Sequence, residues 1–228
     1  LGERSWIGHA ISRHAKLVPS KIEGFPSLAY SLNGTPADCV NFACGHLLGR
    51  EPDLVISGIN LGYNLTLPMI LSSGTVGAAL EGALLGFRAM AASMALPVDK
   101  FEGIRENKGK VTGEIAKALK NSAKGCAKYA RQMIETPVPP GLGVDNLNFP
   151  ENYDGKKDPL LTFANSLKLG CLFEKAEGKK HHQLVYKPEW LDQANIEIGS
   201  DLWALEEGLA SGSRLDFSEL SGKKYLEP

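Results

Sequence analysis

Short apolar runs alternate with longer amphipathic segments along the first 150 residues. The runs Leu54-Val55-Ile56, Ala89 to Met94 and Leu142 to Phe149 predict three strands, and the first of them stops at Ser57-Gly58. A strand that is buried on both faces reads as a continuous apolar run, which is typical of a parallel sheet. We therefore expect these strands to lie side by side in the core.

Amphipathic helices are predicted between and after these strands. Thr35 can cap a helix that has Pro36 in its first turn and Asp38 three residues after the cap, with Gly49 as a stop. Two more helices are predicted from Gly74 to Gly86 and from Val111 to Met133, ahead of Pro137. Alternation of strands and helices predicts an α/β fold with a doubly wound, mainly parallel sheet.

The pattern changes near residue 150, after which strand-like segments and turns dominate. Residues Leu160 to Phe163, Gly170 to Phe173 and Gln183 to Tyr186 predict antiparallel strands, with a turn at Gly178-Lys179-Lys180. We therefore predict a core over residues 1–150 and a β-hairpin with a C-terminal arm over residues 151–228.

Composition excludes several classes of protein. The 228 residues are 43% hydrophobic and carry a net charge of −1, which disfavours disorder and gives no general attraction to nucleic acid polymers. No run of 18 apolar residues occurs, so we expect no membrane-spanning helix. The four cysteines form no C-x-x-C pair, and free buried thiols fit a cytoplasmic location.

The segment from Ser57 to Asn64 directly follows the first predicted strand, where α/β sheets bind their ligands. It places Asn60 and Asn64 among glycines that let a ligand approach the backbone. An asparagine carbonyl is a neutral ligand for a hard cation such as Mg²⁺. The same residues also suit an ordinary strand-to-helix loop, and both interpretations stay open at this point.

Ser72-Ser73-Gly74-Thr75 immediately precedes a predicted helix. The first N–H groups of a helix lack intrahelical partners, so this turn could bind an anion. Simple N-capping by Ser73 is the alternative. His9 could act as an acid, a base or a ligand, or could be a hydrogen-bonded structural histidine.

Three motifs together resemble one family. They are Gly34 to Val40, Pro52 to Asn60 and Ser73 to Ala83, and their order and spacing are similar to those of the SurE survival-protein nucleotidases. Glu3-Arg4-Ser5 with Gly8-His9 resembles a further loop of that family. The resemblance is strong over residues 1–95 and thinner over residues 96–228, where it depends on Gly199-Ser200-Asp201-Leu202 and Glu207-Gly208.

The resemblance implies a Rossmann-like core and a metal-dependent phosphatase of nucleoside monophosphates, a 5'/3'-nucleotidase that also cleaves short polyphosphate in some members. It implies a Mg²⁺ or Mn²⁺ cofactor held by Ser5 and Asn60, and a homodimer or homotetramer that partly exchanges C-terminal elements. By the same resemblance Ser73, Gly74 and Thr75 contact the phosphate, Asn64 lies in that pocket, and His9 is a candidate substrate contact.

One departure from the family pattern concerns the metal. The family begins with a strand ending in Asn-Asp-Asp-Gly, whose aspartates hold the ion, and no Asp-Asp pair occurs in this sequence. We therefore expect that a preceding strand–helix segment is missing from it. If the natural chain lacks the pair, the alternative is a non-catalytic phosphate- or nucleotide-binding module. A third hypothesis is a structural oligomer that functions through its β-rich arm.

Smaller departures concern the loop before the anion turn and the start of the chain. Leu65 to Pro68 replaces the family's usual Gly-x-Asp, and the loop to Ser73 is one residue longer. Trp6 stands where the family has a small residue, and it could stack on a nucleobase or cover the core. These changes bear on which substrate is preferred rather than on the type of reaction.

Overall fold

The computed structural model describes residues 6–176, 178, 180–185 and 195–221. Its strands are β1 (Pro19–Lys21), β2 (Tyr30–Leu32), β3 (Val55–Leu61), β4 (Ala89–Met94), β5 (Gly143–Phe149), β6 (Leu160–Thr162), β7 (Phe173–Lys175), β8 (His182–Leu184) and β9 (Ser211–Asp216). Its helices are α1 (Pro36–Phe42), α2 (Leu67–Ser72), α3 (Gly74–Leu84), α4 (Val98–Glu106), α5 (Gly113–Glu135) and α6 (Asp201–Glu206). A π-helical turn over Ala43–Leu47 extends α1, and a 3₁₀ turn covers Ser218–Ser221.

A five-stranded sheet with the order β3-β4-β5-β9-β6 forms the centre of the molecule. Strands β3, β4 and β5 are mutually parallel, β9 is antiparallel to β5, and β6 is parallel to β9. The three strands and the three helices predicted in the first 150 residues are all present. The α/β class with a mainly parallel sheet is thereby confirmed.

The two faces of β4 explain why helices cover both sides of the sheet. Met90, Ala92 and Met94 pack on one side with the apolar stripe of α5, which includes Cys126. Ala89 and Ala91, at the alternate positions, pack on the other side with Val76 and Ala79 of α3. Because successive side chains of a strand point to opposite faces, one fully buried strand contributes to two cores.

Strand β3 is longer than the apolar run predicts. The strand was expected to end at Ser57-Gly58, but it continues through Asn60 to Leu61 after a register shift between Ser57 and Asn60. Gly58 permits this with a φ of +120°, and a side chain there would lie 2.2 Å from the carbonyl oxygen of Ala92. Glycine is therefore part of the strand rather than its end.

The part of the chain after residue 150 contributes to the same sheet. The predicted antiparallel hairpin forms between β7 and β8, whereas β6 pairs in parallel with β9. Strand β9, which the sequence pattern does not predict, lies between β5 and β6. Of the described strands after residue 150, β6 and β9 therefore belong to the central sheet, whereas β7 and β8 form a separate two-stranded sheet.

Among the residues that the structure describes, no helix is both long and apolar enough to span a bilayer.

Candidate active site

The carboxyl end of β3 places Asn60 at the edge of the sheet where ligands of α/β proteins bind. Asn60 is half-buried and pairs with Ser93 of β4 after the register shift at Gly58. The next turn is fixed because the N–H of Gly62 donates to the carbonyl of Met94 over 2.9 Å. Asn60 is thus held by a rigid strand end.

Asn64 lies at the centre of a buried hydrogen-bond network. Its N–H donates to Oδ1 of Asn148 over 3.2 Å, and its side-chain amide donates to the hydroxyl of Ser93. Its carbonyl accepts from the side-chain amides of Asn146 and Asn148, at 2.8 and 3.1 Å. These contacts join the loop after β3 to β4 and β5. Its phosphate contact stays a prediction.

The turn before α3 has the form of an anion site. Ser73 is the N-cap, and its hydroxyl oxygen accepts the N–H groups of Thr75 and Val76, both at 3.1 Å. The N–H of Gly74 has no hydrogen-bond partner within the described part of the chain. Ser73 and Gly74 are buried and Thr75 is half-buried. N-capping is confirmed, and it leaves the Ser73 hydroxyl proton and the Gly74 N–H to act as donors.

A segment near the start of the chain, the loop over residues 6–12, packs onto the α2–α3 junction. The N–H of Gly8 donates to the carbonyl of Ser72 over 2.8 Å. Gly8 has a φ of +55°. A side chain on Gly77 would lie 2.5 Å from the carbonyl oxygen of Gly8. Two glycines therefore allow this loop to lie directly on α3, beside the anion turn. Ser5, the predicted metal ligand, lies outside the described residues.

His9 is bound to a carboxylate of α3. Its Nε2 lies 2.6 Å from Oε2 of Glu81, which is only 6% exposed and accepts a second hydrogen bond from Asn41 of α1 over 2.7 Å. His9 itself is partly exposed, so its substrate contact stays a prediction. Sequence reasoning gave Glu81 no role, although the residue lies within the motif Ser73 to Ala83, because its partners lie 40 and 72 residues away in the chain.

Asp201 binds the loops that follow β3 and β6. The carboxylate is fully buried and accepts the N–H groups of Thr66, Asn165 and Leu202, at 2.8, 2.9 and 2.8 Å. Burial raises the pKa of Asp201 above its ordinary value, and these backbone hydrogen bonds oppose that shift. The residue belongs to an element that the resemblance singled out without giving it a role, and its contacts make it a structural clamp.

The donors near Asn60 fit a hard divalent cation only in part. A hard cation takes six or more oxygen ligands, usually with carboxylates among them. Within the described residues, no group of three or more His, Cys, Asp or Glu side chains could hold a metal ion. Asn60 offers one neutral oxygen. The described residues alone therefore do not form a complete cation site.

Comparison with known proteins shows the family to which the chain is related. Residues 1–166 match the family described as "Survival protein SurE". A protein of Thermus thermophilus named "5'-nucleotidase SurE 1" is 35% identical over 99% of this chain and 81% of its own length. The "5'-nucleotidase SurE" of Pelotomaculum thermopropionicum is 31% identical over 99% of this chain and 79% of its own length.

A solved structure has a similar fold. The crystal structure of the SurE protein from Aquifex aeolicus aligns with a TM-score of 0.67 at 28% sequence identity. The alignment covers 98% of this chain and 85% of that protein, so the likeness extends over the central sheet and the segments beyond it.

Proposed function

The chain belongs to the SurE family, and on this premise we propose that it is a nucleotidase that hydrolyses nucleoside monophosphates. The observation that supports this most directly is the capped turn at Ser73, Gly74 and Thr75, held against the loop over residues 6–12. Relatives that align with nearly the whole chain are named 5'-nucleotidases, which favours hydrolysis over simple binding.

Each group of the proposed site has a role in hydrolysis. Water adds its oxygen to phosphorus, the ester P–O bond breaks, and the nucleoside leaves as an alcohol that takes up a proton. The N–H of Gly74 and the hydroxyl of Ser73 would donate to the phosphoryl oxygens, whose negative charge the N-terminus of α3 also favours. Asn60 would orient the phosphoryl group from the strand end. Since this chemistry depends on positioned donors, the rigid loops matter as much as the donors.

We also propose that activity depends on a divalent cation, Mg²⁺ or Mn²⁺, which would polarise a phosphoryl oxygen when bound. Ser5 and Asn60 are its proposed ligands.

The experiment is phosphate release from AMP and GMP by the full-length protein, with and without Mg²⁺ or Mn²⁺ and with a chelator as control. Release that depends on the metal is the expected result. Tripolyphosphate serves as a second substrate, because we also propose that the protein cleaves short polyphosphate. Binding of AMP without release under any metal would instead support the non-catalytic nucleotide-binding alternative. Absence of both binding and release would overturn the proposed function.

Assembly and location are part of the same proposal. We propose a cytoplasmic homodimer or homotetramer, for which exposed apolar side chains on the β7–β8 hairpin provide contacts. Phe173 and Leu184 are 55% and 44% exposed. Sedimentation of the full-length protein and of a variant with both residues changed to serine would test this. A monomer in both cases would contradict it.

A further inference from the structure

Glu81 is a buried carboxylate that joins three parts of the chain. It lies in α3 and is 6% exposed, and each of its oxygens has one side-chain partner. Oε2 contacts Nε2 of His9 at 2.6 Å, and Oε1 accepts from Nδ2 of Asn41 at 2.7 Å. A buried carboxylate is tolerated only when its oxygens are hydrogen-bonded, so these two contacts are obligatory for the position.

The partners belong to the elements that surround the anion turn. His9 lies in the loop over residues 6–12, and Asn41 lies in α1. The end of this loop is fastened to the start of α1, because the N–H of Ser12 donates to Asp38 over 3.0 Å and the carbonyl of Ala10 accepts from the N-cap Thr35 over 2.5 Å. From α3, the side chain of Glu81 forms hydrogen bonds to both this loop and α1.

The position of Glu81 along α3 explains why it can contact the loop over residues 6–12. It lies seven residues after Gly74, about 10 Å along the helix axis from the anion turn. Between the two, Gly77 lies directly under the loop, since a side chain there would meet the Gly8 carbonyl at 2.5 Å and the Cα of His9 at 2.9 Å. The loop is therefore held at Ser72, the last residue of α2, on one side of this contact and at Glu81 of α3 on the other.

We infer that Glu81 is a positioning residue of the proposed nucleotidase site. Through His9 it clamps the loop over residues 6–12 onto α3, and this fixes the distance between the loop and the phosphoryl group bound at Ser73–Thr75. Each oxygen of the carboxylate has a side-chain partner within the protein and the residue is only 6% exposed, so its proposed effect on the substrate is indirect. The inference rests on the proposed function for its catalytic effect, whereas the clamp itself does not.

The clamp is tested first without any substrate. Hydrogen–deuterium exchange of the amides of Gly8 and Ser12 is measured in the full-length wild type, Glu81→Ala and the control Leu80→Ala. Leu80 also lies in α3, but it packs against the apolar cluster that includes Ala89 and Ala91 of β4. Its loss should therefore weaken the fold without removing a hydrogen bond to the loop. We expect exchange at these two amides to be at least tenfold faster in Glu81→Ala and unchanged in Leu80→Ala. Equal exchange in both variants would overturn the clamp, whether or not the protein is a nucleotidase.

The catalytic effect is tested by steady-state kinetics with AMP. We expect Glu81→Ala to lower kcat at least tenfold with KM within twofold of wild type, because misplacement of the loop affects the transition state more than binding. Glu81→Gln, which keeps hydrogen-bonding groups at both positions, is expected to recover kcat to within about threefold of wild type. The double variant with His9→Ala should be no slower than Glu81→Ala alone, since Glu81 acts through His9.

Three results would overturn the positioning role. One is a Glu81→Ala enzyme with the kinetics of Leu80→Ala; another is a rise in KM at constant kcat; the third is a double variant much slower than either single one. If Glu81→Ala does not fold, Glu81→Gln and His9→Ala supply the same comparison. A wild type without nucleotidase activity would refute the proposed function and leave the exchange experiment to decide on the clamp.

Discussion

The carboxylate of Asp201 accepts a hydrogen bond from the N–H of Thr66 over 2.8 Å, although 135 residues separate them in the chain. Thr66 has a φ of +60°, a conformation that disfavours threonine, and it is fully buried. The contact therefore holds the loop after β3 in a shape that the loop does not prefer. It connects α6 to the loop that follows the strand end presenting Asn60.

Replacement of Asp201 by alanine is expected to lower the free energy of unfolding by at least about 3 kcal/mol, because three buried N–H groups would lose their acceptor. Urea denaturation measures the loss. Asp158→Ala is the control, since it removes only an exposed ion pair with Lys128 and should cost about 0.5 kcal/mol or less. Equal losses in the two variants would refute the role of Asp201 as a clamp.

Asp38 is expected to make stability depend on acid pH. Burial acts to raise its pKa, but hydrogen bonds from Ser12 and Thr35 outweigh burial, so the pKa lies below its ordinary value. A carboxyl group with a lowered pKa in the folded state contributes stability above its unfolded pKa of about 3.9, and that stability is lost as the pH falls through the folded value.

The wild type should therefore lose stability below about pH 4 more steeply than Asp38→Asn, in which this group cannot titrate. Urea denaturation at a series of pH values measures both curves. Other carboxylates titrate equally in the two proteins, so they cancel in the difference. Parallel curves from pH 6 downward would show that Asp38 does not contribute.

Gly77→Ala is expected to displace the loop over residues 6–12. The new methyl group would lie 2.5 Å from the carbonyl oxygen of Gly8, which is backbone and cannot move independently. Overpacking of this kind costs about 1–3 kcal/mol, and kcat for AMP should fall with it. Gly103→Ala in α4 is the matched control, because its methyl group meets nothing within 4 Å. The control should be neutral or more stable by up to about 1 kcal/mol.

Ser73→Ala separates capping from phosphate binding. Loss of the cap should cost about 1 kcal/mol of stability, and the same loss is expected for Ser200→Ala, which removes the cap of α6. Only Ser73→Ala should also raise KM for AMP, by about tenfold or more, because a donor to the phosphoryl group is removed. Equal KM values in the two variants would leave Ser73 as a cap alone.

Asn60→Ala is expected to lower kcat/KM for AMP by about 100-fold or more, since positioned polar groups contribute that much to stabilising transition-state charge. Asn121→Ala, which removes a hydrogen bond from α5 to the carbonyl of Tyr153, is the control and should retain activity. Phosphate release under saturating Mn²⁺ gives both values. Full activity of Asn60→Ala would remove this residue from the mechanism.

Local patterns predicted the parts of the site that depend on neighbouring residues. The apolar run before Asn60 and the capped turn at Ser73 both lie where the sequence places them, because strand burial and helix capping are short-range effects. The capping box of Thr35 and Asp38 is confirmed for the same reason.

The residues that hold the site together could not be predicted in this way. Glu81 and Asp201 act through partners that only the fold brings near, and an isolated carboxylate in a helix gives no sign of burial. Strand β9 was missed because it reads Ser-Gly-Ser-Arg-Leu-Asp, without an apolar run. Its hydroxyls are satisfied instead by Thr162 of β6, which bonds to Ser211 and Ser213 at 2.8 and 2.7 Å.

The place of β9 between β5 and β6 has a consequence for synthesis on the ribosome. Strands β3, β4 and β5 can assemble as soon as residue 149 has emerged from the ribosome. The edge of β5 that pairs with β9 then stays unpaired until residue 216 follows. During that interval the nascent chain displays a bare strand edge, which can pair with other chains. The fold is thus most vulnerable to aggregation late in translation, and a chain that stops short of β9 should be a substrate for chaperones.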